Sequence, residues 1–275
     1  RDCDRASDAY MNGKYVSVAA VIAAGGTGTR MQAAVPKQFL EIGGKPVFLH
    51  TIERIASLEE VTRIILALPE EHIPAAERIL GAYPVGTGVL CVAGGRSRQE
   101  SVHRGVLHVR PDADIIMVHD AVRPLCDRAT MRRVLEAAWK KGAAVPGLPA
   151  TETIQRVSRK GRVLATPPRE ELFAIQTPQA FHGAILRSAL DRAAAAGFAG
   201  TDESSVVRWA GHPVQVVEGS PDNIKITRPM DLEIAERFLA GGARKEDAGM
   251  SEAMLRIGQG MDFHRLVEGR RLILG

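Results

Sequence analysis

Six short apolar runs constrain the fold of this chain more than any other feature of its sequence. They are rich in Val, Ile and Leu and lack apolar–polar alternation, which is typical of strands covered on both faces in a parallel sheet. Stretches with helical patterns lie between them, at 46–57, 72–82, 97–109 and 128–141. This order predicts a Rossmann-like open α/β fold, with a mainly parallel sheet and helices on both faces. The runs begin at Val16, Val61, Val89, Asp114, Ala143 and Pro213.

The segment 151–170 interrupts this order. Two short β-like runs flank a polar turn at Lys160 and Gly161, and they carry too little apolar surface to be stable alone. The pattern predicts a protruding β-arm, and we expect the arm to pack on a second subunit. An ordinary surface hairpin is the alternative.

The composition is that of a globular protein and argues against several classes of partner. Of 275 residues, 45% are hydrophobic and 25% are charged, which provides material for a sizeable core. The net charge of +4 is mild and only 4% of residues are aromatic, so we expect no nucleic-acid partner. The longest apolar run is too short to span a bilayer, so we expect no membrane contact. Three scattered cysteines without a CxxC pair favour a reducing cytoplasm.

Composition also divides the chain into segments. Residues 1–15 are polar and lack the hydrophobic core of a signal peptide, so they are predicted to form a disordered tail. Residues 16–240 hold the predicted sheet and helices as one domain. The Gly- and Ala-rich charged stretch 241–254 is typical of a linker. Residues 255–275 begin with a strand-like pattern and are too few for a domain, so they are interpreted as the start of a second one.

A glycine-rich loop, AAGGTGTRMQAAVPK, follows the first predicted strand at 23–37. A Walker loop would need a Lys-Ser or Lys-Thr pair, and a dinucleotide-binding loop would need a third glycine and an uninterrupted helix. The spacing of Gly26, Gly28 and Arg30, with a Pro-Lys pair ending at Lys37, fits the nucleotidyltransferase type of loop. Backbone amides of such a loop would hold triphosphate oxygens, and the two cations would supply positive charge. A plain glycine turn is the alternative.

Three more places carry candidate site residues. Asp120 ends a predicted buried strand, where it could hold Mg²⁺ against a triphosphate or simply cap the next helix. Lys225 lies between two isoleucines, and such a lysine either meets an anion or faces solvent at a sheet edge. The stretch GGRSRQESV places Gly95 and Ser101 where a base or ribose could approach, or where a helix simply begins. His119 is interpreted as a buried structural histidine rather than a general base.

Six motifs, taken in order, resemble those of the 2-C-methyl-D-erythritol 4-phosphate (MEP) cytidylyltransferases of the non-mevalonate isoprenoid pathway. The resemblance covers residues 16–240 and implies an α/β fold of nucleotidyltransferase type. It also implies transfer of CMP from CTP to MEP, giving 4-diphosphocytidyl-2-C-methyl-D-erythritol and pyrophosphate. The attacking phosphate monoester is largely ionised at neutral pH, so this reaction needs positioning and positive charge rather than a general base. The motifs are AAG–GTGTRM–PKQ, GGRSRQESV, VHDAVRP, TPQAF, TDESS and EGSPDNIKITRP.

The resemblance implies a role for each candidate residue. The catalytic cations around the α-phosphate are Arg30, Lys37 and Lys225. Asp120 would hold Mg²⁺ and belongs to the CTP site. That site consists of Ala24, Gly26, Gly28, Gly95, Ser101 and Asp120. The MEP site consists of Arg123, Thr177 and Thr201. Two residues of the arm would reach the MEP of the other subunit, which implies a homodimer, and these are Thr153 and Arg169.

The sequence RIGQGMDFHRL, from Arg256, resembles the first strand of the 2-C-methyl-D-erythritol 2,4-cyclodiphosphate synthases. The whole chain therefore resembles the bifunctional fusion of the two enzymes, cut soon after its second domain begins. Asp262 and His264 match two of that family's three ligands for Zn²⁺ or another divalent cation. Two protein ligands do not make a stable zinc site, so we expect neither a functional metal site nor lyase activity in this fragment.

Two other functions stay open at this point. One is a sugar-phosphate nucleotidyltransferase with another base or another acceptor, and the other is a non-catalytic nucleotide-binding subunit. The register of Gly25 and Gly26 also stays open, because the loop has one residue more than the common AAGxGxRM form. Arg30 and Lys37 are not affected by that uncertainty in register.

Overall fold

A computed structural model describes residues 10–11, 14–26 and 35–247, with side chains at 16–26 and 35–240. The strands in this part of the chain are β1 (Tyr10–Met11), β2 (Lys14–Tyr15), β3 (Val18–Ala23), β4 (Glu41–Ile42), β5 (Lys45–Pro46), β6 (Val61–Leu68), β7 (Val89–Ala93), β8 (Ile115–Asp120), β9 (Ala143–Pro149), β10 (Arg156–Val157), β11 (Val163–Ala165), β12 (Phe173–Ile175), β13 (Gln179–His182) and β14 (Gln215–Glu218). The helices are α1 (Val47–Ala56), α2 (Ile73–Ala82), α3 (Arg98–Leu107), α4 (Arg128–Lys141), α5 (Gly183–Ala196), α6 (Glu203–Trp209) and α7 (Pro229–Asp247).

The central sheet has the strand order β12-β9-β13-β8-β3-β6-β7, and β14 pairs with β9 as well. Strands β7, β6, β3 and β8 are parallel neighbours, and β14 is parallel to β9. All six strands predicted from the apolar runs are present, and the prediction of a mainly parallel α/β sheet is confirmed. Strand β13 lies antiparallel between β8 and β9. It was not predicted, because its four residues, QAFH, contain no apolar run.

The core has one layer on each face of this sheet, which explains why the strands lack alternation. Successive residues of β3 point to opposite faces, so Ala20 and Ile22 pack in one layer and Ala19 and Val21 in the other. Helices α1 and α4 cover the first layer, and α3 and α5 cover the second. Both faces of the sheet therefore exclude water, which leaves the ends of the strands as the place for a ligand.

Helices α3 and α6 begin at the carboxyl edge of the sheet with capped first turns. The Ser97 hydroxyl accepts a hydrogen bond from the backbone N–H of Glu100 at the start of α3. The Asp202 carboxylate does the same for Ser205, whose hydroxyl completes a capping box at the start of α6. Both helix starts are thereby fixed beside the end of β8.

The segment 151–170 contains the predicted hairpin. Strands β10 and β11 pair antiparallel, and Gly161 in the turn has a φ of 77°. Several apolar side chains of this arm are exposed in the single chain, namely Ile154, Val157, Val163 and Leu164.

Two features at the ends of the chain differ from the predicted boundaries. Strands β1 and β2 pair antiparallel inside the region predicted as a disordered tail, so the described residues of that region are ordered as two paired strands. Helix α7 continues to Asp247, into the region predicted as a linker. Ala, Arg, Lys and Glu favour helix strongly enough there to accommodate the glycines at 241 and 242. Among the helices described, none combines the length and the apolar character that crossing a bilayer requires.

Candidate active site

The candidate site lies at the carboxyl edge of the parallel strands, where ligands bind in open α/β sheets. A larger cavity of about 550 Å³ and a smaller one of about 70 Å³ meet there, and Asp120 and Lys225 line both. The larger cavity is also lined by three candidate residues, Arg123, Thr177 and Thr201. The smaller cavity is also lined by three, Ala24, Gly26 and Lys37.

The buried carboxylate of Asp120 lies among three cations. Its Oδ1 accepts a hydrogen bond from Arg98 Nε at 3.0 Å, and its Oδ2 lies 2.8 Å from Lys225 Nζ. Arg123 Nε lies 3.6 Å from the same Oδ2. Burial alone would raise the pKa of Asp120, but attraction to these three cations outweighs it and lowers the pKa below its usual range. Asp120 is therefore ionised at neutral pH.

Arg98 also binds a second buried carboxylate. Its Nη1 donates to both carboxylate oxygens of Glu203, at 2.7 and 2.8 Å, and Glu203 is only 1% exposed. Burial would lower the pKa of Arg98, but Glu203 and Asp120 together raise it, so the guanidinium stays charged. Sequence reasoning missed both Arg98 and Glu203. The available signal was an arginine at the first position of α3, where the helix dipole disfavours a cation.

Lys225 lies after β14 in a segment that belongs to no strand of the sheet, and the next residue, Ile226, donates its backbone N–H to the carbonyl of Val122 at 2.9 Å. The isoleucines on either side of Lys225 pack in a small apolar cluster, and the Lys225 side chain faces the site. The backbone of this segment is held by Arg123, which donates to the carbonyl of Asn223 at 2.6 Å. Buried Asn223 donates in turn to the carbonyl of Thr177 at 2.8 Å. These contacts fix the ammonium of Lys225 on Asp120.

Residues of the glycine-rich loop line the smaller cavity, on both sides of the part of the loop that is not described. The buried Gln38 side chain donates to the carbonyl of Ala24 at 2.7 Å, which ties the short 3₁₀ helix at 37–39 to the end of β3. Lys37 Nζ donates to the carbonyl of Ile226 at 3.2 Å. A Cβ on Gly26 would lie 3.4 Å from Lys37 Cε, so loop and lysine are in close contact. Two further candidates of this loop, Gly28 and Arg30, lie outside the described residues.

Ser101 connects the loops that follow β3 and β7. Its buried hydroxyl donates to the carbonyl of Ser97 at 2.9 Å and accepts from the backbone N–H of Gly95 at 3.0 Å. A Cβ on Gly25 would lie 3.2 Å from this oxygen, and a Cβ on Gly95 would overlap the Glu100 side chain. Glycine is therefore required at 95 for close packing, and the Ser101 oxygen retains one acceptor position.

The Thr177 hydroxyl in the larger cavity has a defined orientation. Its oxygen accepts from the backbone N–H of Asp120 at 3.1 Å and lies 2.8 Å from His119 Nδ1. His119 Nε2 lies 3.2 Å from the carbonyl of Arg123, which can only accept, so Nε2 carries the proton and Nδ1 accepts from Thr177. Burial, opposed mainly by Asp120, lowers the pKa of His119 to about 4. His119 is thus a buried neutral histidine.

The two candidate residues of the arm do not line either cavity of their own chain. Thr153 and Arg169 are both exposed, and Arg169 Nη1 donates to the carbonyl of Thr151 at 3.2 Å. Their suggested contact with MEP in another subunit stays a prediction.

A divalent cation at this site would have to be held largely by the phosphates of a nucleotide, because both oxygens of Asp120 already contact cationic side chains. Asp120 provides a carboxylate to both cavities, and within the described chain no three His, Cys, Asp or Glu side chains form a metal-binding cluster. Mg²⁺ is commonly bound in this way, by one or two carboxylates and the phosphates of a substrate. The predicted ligands Asp262 and His264 lie outside the described residues.

An α/β sheet with a carboxylate among cations at its carboxyl edge, beside a glycine loop that ends in Pro-Lys, defines an enzyme of nucleotidyltransferase type. The family described as 2-C-methyl-D-erythritol 4-phosphate cytidylyltransferase matches residues 18–241. A protein of that name from Acidobacterium capsulatum is 46% identical over 80% of this chain and 95% of its own length. The chain belongs to the 2-C-methyl-D-erythritol 4-phosphate cytidylyltransferase family.

Two further comparisons bear on the length of the chain and on its fold. The bifunctional enzyme IspD/IspF of Desulfotalea psychrophila is 39% identical over 94% of this chain, which spans 64% of that relative. The crystal structure of 4-diphosphocytidyl-2C-methyl-D-erythritol synthase from Anaerococcus prevotii superposes with a TM-score of 0.72 at 27% identity. That similarity covers 82% of this chain and 96% of the other.

Proposed function

We propose that this chain transfers CMP from CTP to MEP in isoprenoid precursor biosynthesis, as its family membership indicates. The observation that carries the proposal is the position of Asp120 and Lys225, which line both cavities. A nucleotide in the smaller cavity and an acceptor in the larger one would meet at these two residues. Lys37 would approach the same point from the nucleotide side.

The reaction requires an in-line displacement at the α-phosphorus of CTP. An oxygen of the MEP phosphate forms a bond to this phosphorus, and the bond to the oxygen bridging the α- and β-phosphates breaks. Pyrophosphate leaves with the electron pair. Because the nucleophile is already ionised, no side chain is needed to remove a proton from it. His119 could not readily do so, since both of its ring nitrogens are engaged in hydrogen bonds. Lys37 and Lys225 would stabilise the charge that develops on the phosphoryl oxygens.

We assign the remaining candidate residues to binding. Ala24, Gly26, Gly95 and Ser101 would contact CTP, and Arg123, Thr177 and Thr201 would contact MEP. Gly28 would complete the phosphate loop, while Arg30 would be the third catalytic cation around the α-phosphate. Mg²⁺ would be held by Asp120, and when bound it would neutralise charge on the triphosphate.

We also propose a homodimer formed through the arm. The supporting observations are the exposed apolar side chains of β10 and β11, together with Thr153 and Arg169, which lie away from their own cavities. In the dimer these two residues would contact the partner's MEP. The cytoplasmic location and the expected lack of nucleic-acid and membrane partners stay predictions.

The division of the chain stays a proposal as well. Residues 16–240 would form the cytidylyltransferase domain, and the segment from 241 would lead to residues 255–275 as the beginning of a cyclodiphosphate synthase domain. The match to a bifunctional relative over 94% of this chain supports that interpretation. Asp262 and His264 would then be two of the metal ligands of the second domain.

Turnover with different nucleotides distinguishes a cytidylyltransferase from a nucleotidyltransferase that uses another base. With MEP and Mg²⁺ present, we expect CTP to give much higher turnover than UTP or GTP. A preference for a purine nucleotide would instead favour a nucleotidyltransferase with another base. Binding of CTP without any turnover would favour a non-catalytic nucleotide-binding subunit.

A further inference from the structure

Arg98 and Glu203 belong to neither the proposed phosphate loop nor the proposed MEP-binding set, although Arg98 lines the larger cavity. Arg98 begins α3, Glu203 begins α6, and Asp120 ends β8. The guanidinium of Arg98 lies between two carboxylates, because Nε donates to Asp120 and Nη1 donates to Glu203. One side chain thus connects three elements at the carboxyl edge of the sheet.

Glu203 cannot act on a substrate directly. It is 1% exposed, and it lines neither cavity although its neighbours Asp202 and Ser204 line the larger one. A buried carboxylate without a partner is costly, so the two short bonds from Arg98 keep it in place. In return, Glu203 fixes the plane of the guanidinium and hence the direction of Nε. Any effect of Glu203 on catalysis must therefore be transmitted through Arg98.

The orientation of the Asp120 carboxylate depends on two separate contacts. Oδ1 is held by Arg98, while Oδ2 is held by Lys225 at 2.8 Å and faces Arg123 at 3.6 Å. If the bond to Oδ1 were lost, both oxygens could turn toward the two remaining cations. Because Lys225 Nζ is already in contact with Oδ2, such a turn would move the ammonium together with the carboxylate, away from its present position where the two cavities meet.

We propose that Arg98 and Glu203 are positioning residues for the cytidylyl transfer, which hold Asp120 so that Lys225 stays directed at the reacting phosphate. This proposal rests on the proposed function. It concerns the rate of the chemical step rather than the affinity for either substrate. A merely structural ion pair would affect stability and leave the rate constant of the folded enzyme unchanged.

The test is a comparison of Glu203→Gln with the wild type, by steady-state kinetics of pyrophosphate release with CTP and MEP. Glutamine retains the shape of the side chain but removes the charge that orients Arg98. We expect kcat to fall by about tenfold to a hundredfold, as expected when a reacting group is misplaced. The Michaelis constants for CTP and MEP should change by less than about threefold, since Glu203 lines neither cavity.

A second ion pair with a buried carboxylate provides a control of similar exposure, although its contact, at 3.7 Å, is longer than the 2.7 Å contact of Arg98 with Glu203. Glu60 and Arg132 have 2% and 29% of their side chains exposed, against 1% and 29% for Glu203 and Arg98, and neither lines the two cavities. Glu60→Gln should lower the melting temperature and leave kcat at the wild-type value. Kinetics are measured at a temperature at which thermal melts show each variant to be folded.

The outcomes separate this proposal from the function on which it rests. No MEP-dependent release by the wild type would overturn the proposed function. An active wild type with normal kcat in Glu203→Gln would overturn the positioning role alone, as would an equal loss of kcat in Glu60→Gln. If Glu203→Gln does not fold, Arg98→Lys replaces it, because one ammonium cannot occupy both the Nε and Nη1 positions. We expect the same fall in kcat, and wild-type kcat in Arg98→Lys would overturn the proposal.

Discussion

At the scale of single residues, the site depends on cations that are held by short contacts to oxygen atoms. Lys225 is held by Asp120 and Lys37 by the carbonyl of Ile226, so both ammonium groups are positioned before any substrate arrives. Preorganised charge of this kind is usually the largest contribution to catalysis of phosphoryl-type transfers.

Lys37→Ala tests the contribution of one such cation. We expect kcat to fall by a factor on the order of 100 or more, because a positive charge beside the transferred phosphoryl group is lost. The melting temperature should change little, since the Lys37 side chain lies at a cavity rather than in the core. Exposed Lys140 on α4 provides the control, and Lys140→Ala should have wild-type kcat. Near-normal turnover by Lys37→Ala would contradict the role of charge.

The lowered pKa of His119 predicts that the stability of the protein depends on pH. Its folded pKa of about 4 lies below the unfolded value of 6.5, so folding favours the neutral ring. This contribution is fully present above pH 6.5 and is lost as the pH falls toward 4. Between pH 7 and pH 5 the free energy of unfolding should fall by about 2 kcal/mol on account of this residue.

Urea unfolding of the wild type and of His119→Asn at both pH values measures this term. The variant is expected to be less stable at pH 7, but its stability should depend less on pH over this interval. An identical pH dependence in the two proteins would show that His119 titrates at its ordinary pKa in the folded state.

At the scale of elements, the six strands formed by apolar runs and the β-arm could be predicted from the sequence. The antiparallel strand β13 could not. Apart from the exposed Thr62 and Arg63, the runs at Val61 and Ala143 lack polar residues because both faces of the sheet are covered, and that pattern is visible in the sequence. Strand β13 has only four residues, and its place between β8 and β9 is decided by pairing with residues far away in the chain. Short strands of this kind depend on tertiary contacts more than on their own composition.

Arg169→Ala tests the placement of the arm. If this side chain reaches the MEP of the partner subunit, the Michaelis constant for MEP should rise by about tenfold or more, as expected for a lost charge-assisted hydrogen bond. The constant for CTP should change little. Arg162→Ala, also exposed on the arm, provides the control and should leave both constants unchanged. Equal increases for CTP and MEP in Arg169→Ala would argue against a position of the arm at the acceptor.

At the scale of the whole molecule, the site brings together residues that are far apart in the chain. Arg98 and Glu203 are separated by 105 positions and Lys37 and Ile226 by 189. Individual residues such as Asp120 and Lys225 could be predicted, because they stand out in apolar surroundings. The pairing of Arg98 with Glu203 could not, because it depends on where two helices begin once the sheet has formed.

The arm also predicts the state of assembly. Leu164 is 56% exposed in one chain, and a carboxylate at this position would be buried without a partner if the arms pack together. We therefore expect Leu164→Glu to shift the protein from dimer to monomer in sedimentation velocity experiments. Leu107 on α3 is 68% exposed away from the arm, and Leu107→Glu should remain dimeric. A dimeric Leu164→Glu protein, or a monomeric wild type, would contradict the proposed interface.

In the proposed reaction, the two cavities that meet at Asp120 and Lys225 bring a nucleotide together with an acceptor phosphate. The most direct test is release of pyrophosphate from CTP in the presence of Mg²⁺, measured with and without MEP. We expect rapid release that requires MEP and yields one 4-diphosphocytidyl-2-C-methyl-D-erythritol for each pyrophosphate. Release at the same rate without MEP, or no release with it, would contradict the proposed reaction.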